Sequence, residues 1–195
     1  MAFNIRDVRR GLLQDGARSS HFTVEIELPG ALAALNQLAP SNKISLTGKA
    51  STYPQSNNQV VEVDYFGRKI KLAGNRTFED WTVTFYNDQD FAVRALFENW
   101  LAAINGHESN VRQPLFGVDE TQASYKGFGK INAWGKTGLN IVKRYEMFGL
   151  FPTIVGEAEA DWGNNEVMTF PVTFAYDYWV SPELKDLITG GVVTS

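Results

Sequence analysis

The chain has 195 residues, 44% of them hydrophobic and 21% charged, with a formal net charge of −4 and no cysteine. That balance fits one soluble globular domain, and the missing cysteine excludes a disulfide framework, a thiolate metal site and a cysteine nucleophile. A mildly acidic chain argues against a general nucleic-acid-binding surface, which needs a basic patch, and no window offers the roughly 20 apolar residues of a membrane span.

In chain order, the N-terminal stretch MAFNIRDVRRGLL carries charges where a signal peptide would be apolar. Within it, Ile5 to Leu13 predicts a short helix, with Ile5, Val8 and Leu12 on one side. His21 to Leu28 alternates Phe22, Val24, Ile26 and Leu28 against Thr23, Glu25 and Glu27, a strand with one face on a core. Ala31 to Asn42 predicts a short helix or compact loop that Pro40 stops. From Lys43, KISLTGKAST reads as a strand leading to Tyr53-Pro54. After the turn-prone QSNNQ, VVEVDYFGRKIKL reads as further strand, with Gly67 at a turn or bulge. Residues 43–72 together predict a long hairpin projecting from the body.

The next stretch is the most informative. Trp81, Val83 and Phe85 alternate with Thr82, Thr84 and Tyr86, then the period changes at Asn87. Asn87 is a candidate N-cap with Asp90 in the first turn. Val93, Leu96, Phe97, Trp100, Leu101 and Ile104 recur at helical spacing, and Gly106 follows as a candidate left-handed C-terminal residue. The main helix is thus expected over 88–105. Gly106 to Gly138, rich in small and polar residues, predicts loop with one or two short strands. Asn140 to Phe148 reads as strand, followed by a bend around Pro152. Glu157 to Trp162 alternates acids with apolar residues, Gly163-Asn164-Asn165 is a hairpin turn, and Glu166 to Trp179 answers as the return strand, with Pro171 suited to an edge or bulge. The body is expected to span 1–179, with 180–195 a flexible tail. These elements describe a mainly β domain, an antiparallel sandwich or barrel with one flanking α-helix.

Catalytic chemistry finds little support. The GKT at Gly135 to Thr137 lacks the upstream glycine of a phosphate loop, since Lys130 stands at that position. His21 and His107 are the only histidines and have no partner at metal or nucleophile–base spacing. Asp88 and Asp90 are explained by helix capping more simply than by a metal, and Glu79-Asp80 by a solvated turn. No catalytic, cofactor or metal residue is assigned. Three acidic sets stand out: Glu25 and Glu27; Glu62 and Asp64; Glu157, Glu159 and Asp161. Each reads either as a solvated sheet face or as a surface that repels a polyanion.

Two blocks carry a resemblance. GRKIKLAGNRTFEDWTVTFYND (Gly67 to Asp88) and GLFPTIVGEAEADWGNNEVMTFPVTFAYDYW (Gly149 to Trp179) resemble the tail tube proteins of contractile, T-even-like bacteriophages. Weaker similarity runs through the N-terminal helix, FTVEIEL and GKASTYP. The departures are Ala31 to Asn42, His107 to Leu139 and the end after Trp179. The resemblance implies the fold shared with the haemolysin co-regulated protein, six-fold rings stacking into a hollow tube, and no enzymatic activity. It implies a contractile sheath, baseplate or initiator proteins and a tail terminator as partners, with the tape measure protein and then DNA passing through the bore without specific binding. Under it the chain would be made in the host cytoplasm and reside in the virion tail inside the sheath, without inserting into a membrane. Some of Glu25, Glu27, Glu62, Asp64, Glu157, Glu159 and Asp161 would line the bore. Tyr53, Pro54, Asn57, Asn58, Tyr65 and Phe66 would belong to an arm reaching the next ring. The alternatives are the tube of an extracellular injection particle or type VI-like system carrying protein effectors, a same-fold initiator or baseplate protein, or a monomeric β-barrel enzyme or binding module.

Overall fold

The computed structural model describes residues 16–37, 39–108 and 125–182. The helix expected over 5–13 and the stretch after Pro182 lie outside the described residues.

Two antiparallel layers share one long strand. The first layer contains β1 (Phe22–Glu27), β6 (Gly127–Trp134), the early part of β7 (Ile141–Val155) and β9 (Tyr178–Val180). The second contains the later part of β7, β8 (Thr169–Ala175), β5 (Trp81–Tyr86) and β2 (Gly48–Ser51). Strand order is β1-β6-β7-β8-β5-β2, with β9 on β7 beside β8. The transfer happens at Gly149, which has φ 69°. Phe148 faces Phe128 on β6 while Leu150 faces Gly127, so Gly149 is an extra residue in β7. On the other side β8 breaks at Tyr176-Asp177 before resuming as β9, and the Asp177 N–H donates to Phe148 O at 2.9 Å. A bulge of this kind bends and twists its strand. Here it lets one strand serve both walls of a partly open barrel.

Between the walls lies the predicted core. Val24 and Ile26 point inward from β1, Trp81, Val83 and Phe85 from β5, and Phe170, Val172 and Phe174 from β8. The α-helix Ala92–Ile104, called α2 here because a shorter helix precedes it, inserts Val93, Leu96, Phe97 and Trp100. The Phe97 ring lies 5.3 Å from Phe85 and 5.5 Å from Phe174, within the range where aromatic pairs add to area burial. Leu101 and Ile104, also expected inward, are only half-buried at the rim.

The helix starts later than expected. Asn87 does not cap it: it lies four residues before the N-cap, still on the β5–β8 ladder through its N–H to Met168 O (2.8 Å). The chain turns through Asp88 to Asp90, and Phe91, at φ 54°, stands at the N-cap without a side-chain cap. Gly106 is not in the left-handed region either; Asn105 ends the helix in an extended conformation.

Four further expectations are corrected. The stretch expected as a strand from Lys43 is helical over Ser41–Thr47 (α1), and strand begins only at Gly48. Pro40 presets the entry and accepts from Lys43 N–H at 2.8 Å. The alternation of Ile44 and Leu46 misled: Ile44 is buried against the body while Leu46 is exposed. The hairpin expected over 43–72 is β3 (Ser56–Tyr65) with β4 (Arg68–Phe78). The stretch read as mostly loop contains β6, an interior strand. Its glycines are packing residues: a Cβ on Gly129 would lie 2.9 Å from Leu150 Cδ2, and one on Gly127 would meet the carbonyl of Glu27. Finally, Glu157 to Trp162 is irregular, not strand. Asp161 Oδ1 accepts from the Gly163 N–H and Asn164 Oδ1 from the Glu166 N–H, both at 2.9 Å, local bonds that compete with a ladder.

Pro171, expected at a sheet edge or bulge, lies instead in the interior strand β8, opposite Thr84 on β5 and just past the last β7 pair. Gly156 N–H donates to Pro171 O at 2.7 Å, and a non-proline residue would return a bond to Gly156 O. Arg94 Nη1 donates to that carbonyl instead, at 3.1 Å. The sheet thus tolerates proline where β7 ends.

Candidate functional site

The β3–β4 ribbon stands off the body. Its turn, Phe66-Gly67, has both residues at positive φ (44° and 77°), as a two-residue hairpin loop requires. The register divides the ribbon into two unlike faces. Val61 faces Leu72, Val63 faces Ile70 and Tyr65 faces Arg68 on one side. Glu62 faces Lys71 and Asp64 faces Lys69 on the other, with Lys69 Nζ 2.8 Å from Glu62 Oε2. Both strands are exposed except near the base, so the apolar face is uncovered. Phe66 at the tip is 91% exposed and meets Tyr65 edge to face at 4.7 Å. An isolated two-stranded ribbon is marginal in water. This one carries an apolar stripe suited to a partner.

The predicted arm residues fall into two groups. Tyr65 and Phe66 are at the tip. Asn57 and Asn58 are at the root, where Asn58 Oδ1 accepts from Arg76 Nε at 3.1 Å. Tyr53 and Pro54 precede the ribbon and anchor it. The Tyr53 ring packs 5.7 Å from Tyr145, its hydroxyl pKa raised by burial and then by the neighbouring Tyr145, and Pro54 is buried.

The three acidic sets are not brought together. Glu25 and Glu27 lie on the outward face of the first layer, among bases the sequence reading did not single out. Lys130 Nζ is 2.8 Å from Glu27 Oε1, Asn132 Nδ2 donates to Glu25 Oε1 at 3.1 Å, and Arg144 Nε donates to Asn132 Oδ1 at 3.0 Å. That face is polar but charge-paired. Lys130 and Asn132 sat in the glycine-rich stretch read as loop, so no strand period exposed their face. Glu62 and Asp64 lie on the ribbon's ion-paired side. Glu157, Glu159 and Asp161 line an open groove of about 630 Å³ beside β8 with Trp162, Glu166 and Pro171.

The remaining sequence candidates take structural positions. Asp88 forms an ion pair with Lys43 at 2.5 Å, joining α1 to the turn before α2. Burial alone would raise the Asp88 pKa, but Lys43 and the backbone N–H groups of Asp88 and Val93 outweigh it and hold it below the ordinary value. Lys43 is correspondingly raised, first by its bond to Asp88. Gly135 to Thr137 make the tight β6–β7 turn, closed by Gly135 N–H to Asn140 O at 2.8 Å, with no helix following. His21 precedes β1, and its carbonyl accepts from Trp134 N–H. His107 follows α2. Among the described residues no group of three or more His, Asp or Glu could hold a metal, and no helix is long and apolar enough to cross a membrane.

What converges, then, is surface: an uncovered ribbon and, among the described residues, the sheet-edge strands β1 and β2, each hydrogen-bonded to one neighbouring strand. Comparison with solved structures finds the same fold in contractile assemblies. A chain of the anti-feeding prophage baseplate aligns with a TM-score of 0.60 at 13% identity, covering 85% of this chain and 94% of that one. A chain of the PVC extracellular contractile injection system, solved as its sheath/tube terminator in the extended state, aligns with a TM-score of 0.59 at 13% identity, covering 84% and 94%. In sequence, the chain is 36% identical over 168 residues to tail tube protein gp19 of Enterobacteria phage T4, covering 85% of this chain and 91% of the relative. The same figures hold for gp19 of Enterobacteria phage T6. The family model described as phage tail tube protein matches residues 17–182, from before β1 to just past β9. With identity at that level across nearly the whole folded body, the chain belongs to the phage tail tube protein family.

Proposed function

We propose that this chain is the repeating subunit of the inner tube of a contractile phage tail. Six copies close head to tail into a ring, and rings stack without closing along the axis, as heterologous contacts allow. The stack is a conduit for DNA leaving the capsid. The observation that carries this reading is the amphipathic ribbon with its uncovered apolar face, in a chain closely related to tail tube proteins. The sheet-edge strands β1 and β2 are the second support, because joining such edges across copies removes them.

In this assembly the ribbon is the inter-ring arm, with Tyr65 and Phe66 at its leading end and Tyr53 and Pro54 fixing its root. The outward face of the first layer, carrying Glu25 and Glu27, lines the bore. Its acids are held beside Lys130 and, through Asn132, Arg144, so it offers a passing polyanion paired charges rather than a row of free cations. The work is mechanical, with no bond made or broken. The subunit sits in the virion tail inside a contractile sheath, capped by a terminator and started on a baseplate, and the tape measure protein precedes DNA through the bore.

A second reading keeps the fold and changes the cargo to protein effectors. The fold likeness to the PVC and anti-feeding prophage chains favours it, but at 13% identity this is far below the 36% shared with the phage proteins. Negative-stain electron microscopy of the purified chain over a range of concentrations, with sedimentation alongside, tests the tube reading. Hollow rings or stacked tubes are expected. A chain that stays monomeric at every concentration, and also with baseplate added, overturns it.

A further inference from the structure

We infer that the tip of the ribbon of one copy docks into the groove beside β8 of a second copy. This rests on the tube reading and names the surface that receives the arm. Two features built far apart in the chain complement each other in charge and in chemistry. The ribbon, residues 56–78, holds four bases (Arg68, Lys69, Lys71, Arg76) against two acids (Glu62, Asp64), a surplus of two positive charges. Arg68 and Lys69 directly follow the Phe66-Gly67 turn. The groove presents Glu157, Glu159, Asp161 and Glu166 against the single base Lys49, a surplus of three negative charges. Lys49 itself leans over the Tyr86 ring at 5.5 Å.

The apolar parts match as well. Trp162 is fully exposed on the wall of the groove, Val167 is 63% exposed beside it, and Pro171 contributes apolar surface. A tryptophan held out by an irregular, locally bonded loop covers nothing in its own subunit. Phe66 is 91% exposed, so it does not occupy its own subunit's groove. The groove is open to solvent and, at about 630 Å³, has room for several side chains. A second copy is the occupant because one chain carries both halves, so copies of it supply them at equal stoichiometry. Copies related head to tail repeat the contact along the whole tube.

The chain has no cysteine, so a paired-cysteine test has no background. Phe66→Cys and Trp162→Cys placed together in assembled protein should give, on mild oxidation, a ladder of covalently linked chains, and neither single variant should give more than dimers. Separately, Glu157→Lys with Glu159→Lys should raise the concentration needed for stacking at least tenfold. Arg68→Glu with Lys69→Glu in the same chain should recover most of that loss. Both pairs are solvent-exposed, so folding is checked by an unchanged thermal transition of the unassembled subunit. Wild-type tubes with no ladder and no charge-swap recovery would overturn the docking while leaving the tube standing. Wild-type protein that never assembles overturns the tube reading and the docking with it.

Discussion

Replacing Gly127 and Gly129 by alanine tests whether the glycine-rich stretch is a packed strand. Both lie in β6 and neither has a positive φ, so alanine meets no backbone strain. Reducing the freedom of the unfolded chain would then stabilise each variant by about 0.4–1 kcal/mol if space were available. It is not. A Cβ on Gly129 would lie 2.9 Å from Leu150 Cδ2, 3.2 Å from Trp81 Cζ3 and 3.4 Å from Met147 Cε, all on fully buried side chains. Overpacking of this kind costs about 1–3 kcal/mol, so Gly129→Ala should be net destabilising by roughly 1–2 kcal/mol. Gly127→Ala should cost more, because its Cβ meets the Glu27 carbonyl, which is backbone held in the β1–β6 ladder, as well as Trp100 Cη2 at 3.0 Å. Leu150→Ala alone should cost about 2–5 kcal/mol. Combined with Gly129→Ala it should cost at least about 1 kcal/mol less than the sum, since it removes the atom in the way. Combined with Gly127→Ala it should recover less, since the Glu27 carbonyl and Trp100 stay in the way of that Cβ even though Leu150 is the strand partner of Gly127. Urea unfolding followed by tryptophan fluorescence, below the concentration of assembly, reads all five variants. A Gly129→Ala chain as stable as the wild type, or additivity in both double variants, would refute the reasoning.

Three further predictions follow from other parts of the body. The Lys43–Asp88 pair makes stability pH-dependent at both ends: the depressed Asp88 pKa contributes above the ordinary carboxylate range and is lost as pH falls through the folded value. The raised Lys43 pKa contributes below the ordinary lysine range and is lost as pH rises through its folded value, so Asp88→Asn should lower the melting temperature at pH 7 and flatten both limbs of a melting temperature–pH profile. Tyr176 is pushed up to about 12, by burial first and then by Asp80 and Glu79. The unfolded chain releases that proton near 10 while the folded chain keeps it, so stability should fall between about pH 10 and 12, and ultraviolet titration should lose a late-titrating component in Tyr176→Phe. Trp81 is fully buried and its Nε1 donates to Ser51 Oγ at 3.0 Å and Thr52 O at 2.8 Å, tying β5 to the end of β2. Trp81→Phe should therefore cost about 1–3 kcal/mol in urea unfolding, from the lost bonds and the smaller ring.

Local sequence determined the elements whose period and burial agree. Phe22 to Leu28, Trp81 to Tyr86 and the helix carrying Val93, Leu96, Phe97 and Trp100 each have one apolar face, and each face turned inward. The two blocks around Trp81 and Phe151 were also enough to place the chain in its family. Tertiary structure decided what period cannot express. Gly127 and Gly129 look like loop residues until the Glu27 carbonyl and Leu150 are brought against them. Ser41 to Thr47 has strand-like alternation, yet it is helical, entered at Pro40 and burying Ile44 on one side. Asn87 has the side chain of a cap but keeps its place on the β8 ladder. The acidic sets were visible as residues, while their environments were not: Glu27 finds Lys130 across 103 positions of chain, and Glu157 to Asp161 leave the sheet to wall a groove. Alternation records which way a side chain points from its own backbone. Which neighbour it then meets is set by strand register between distant segments, and that is fixed only when the sheets close.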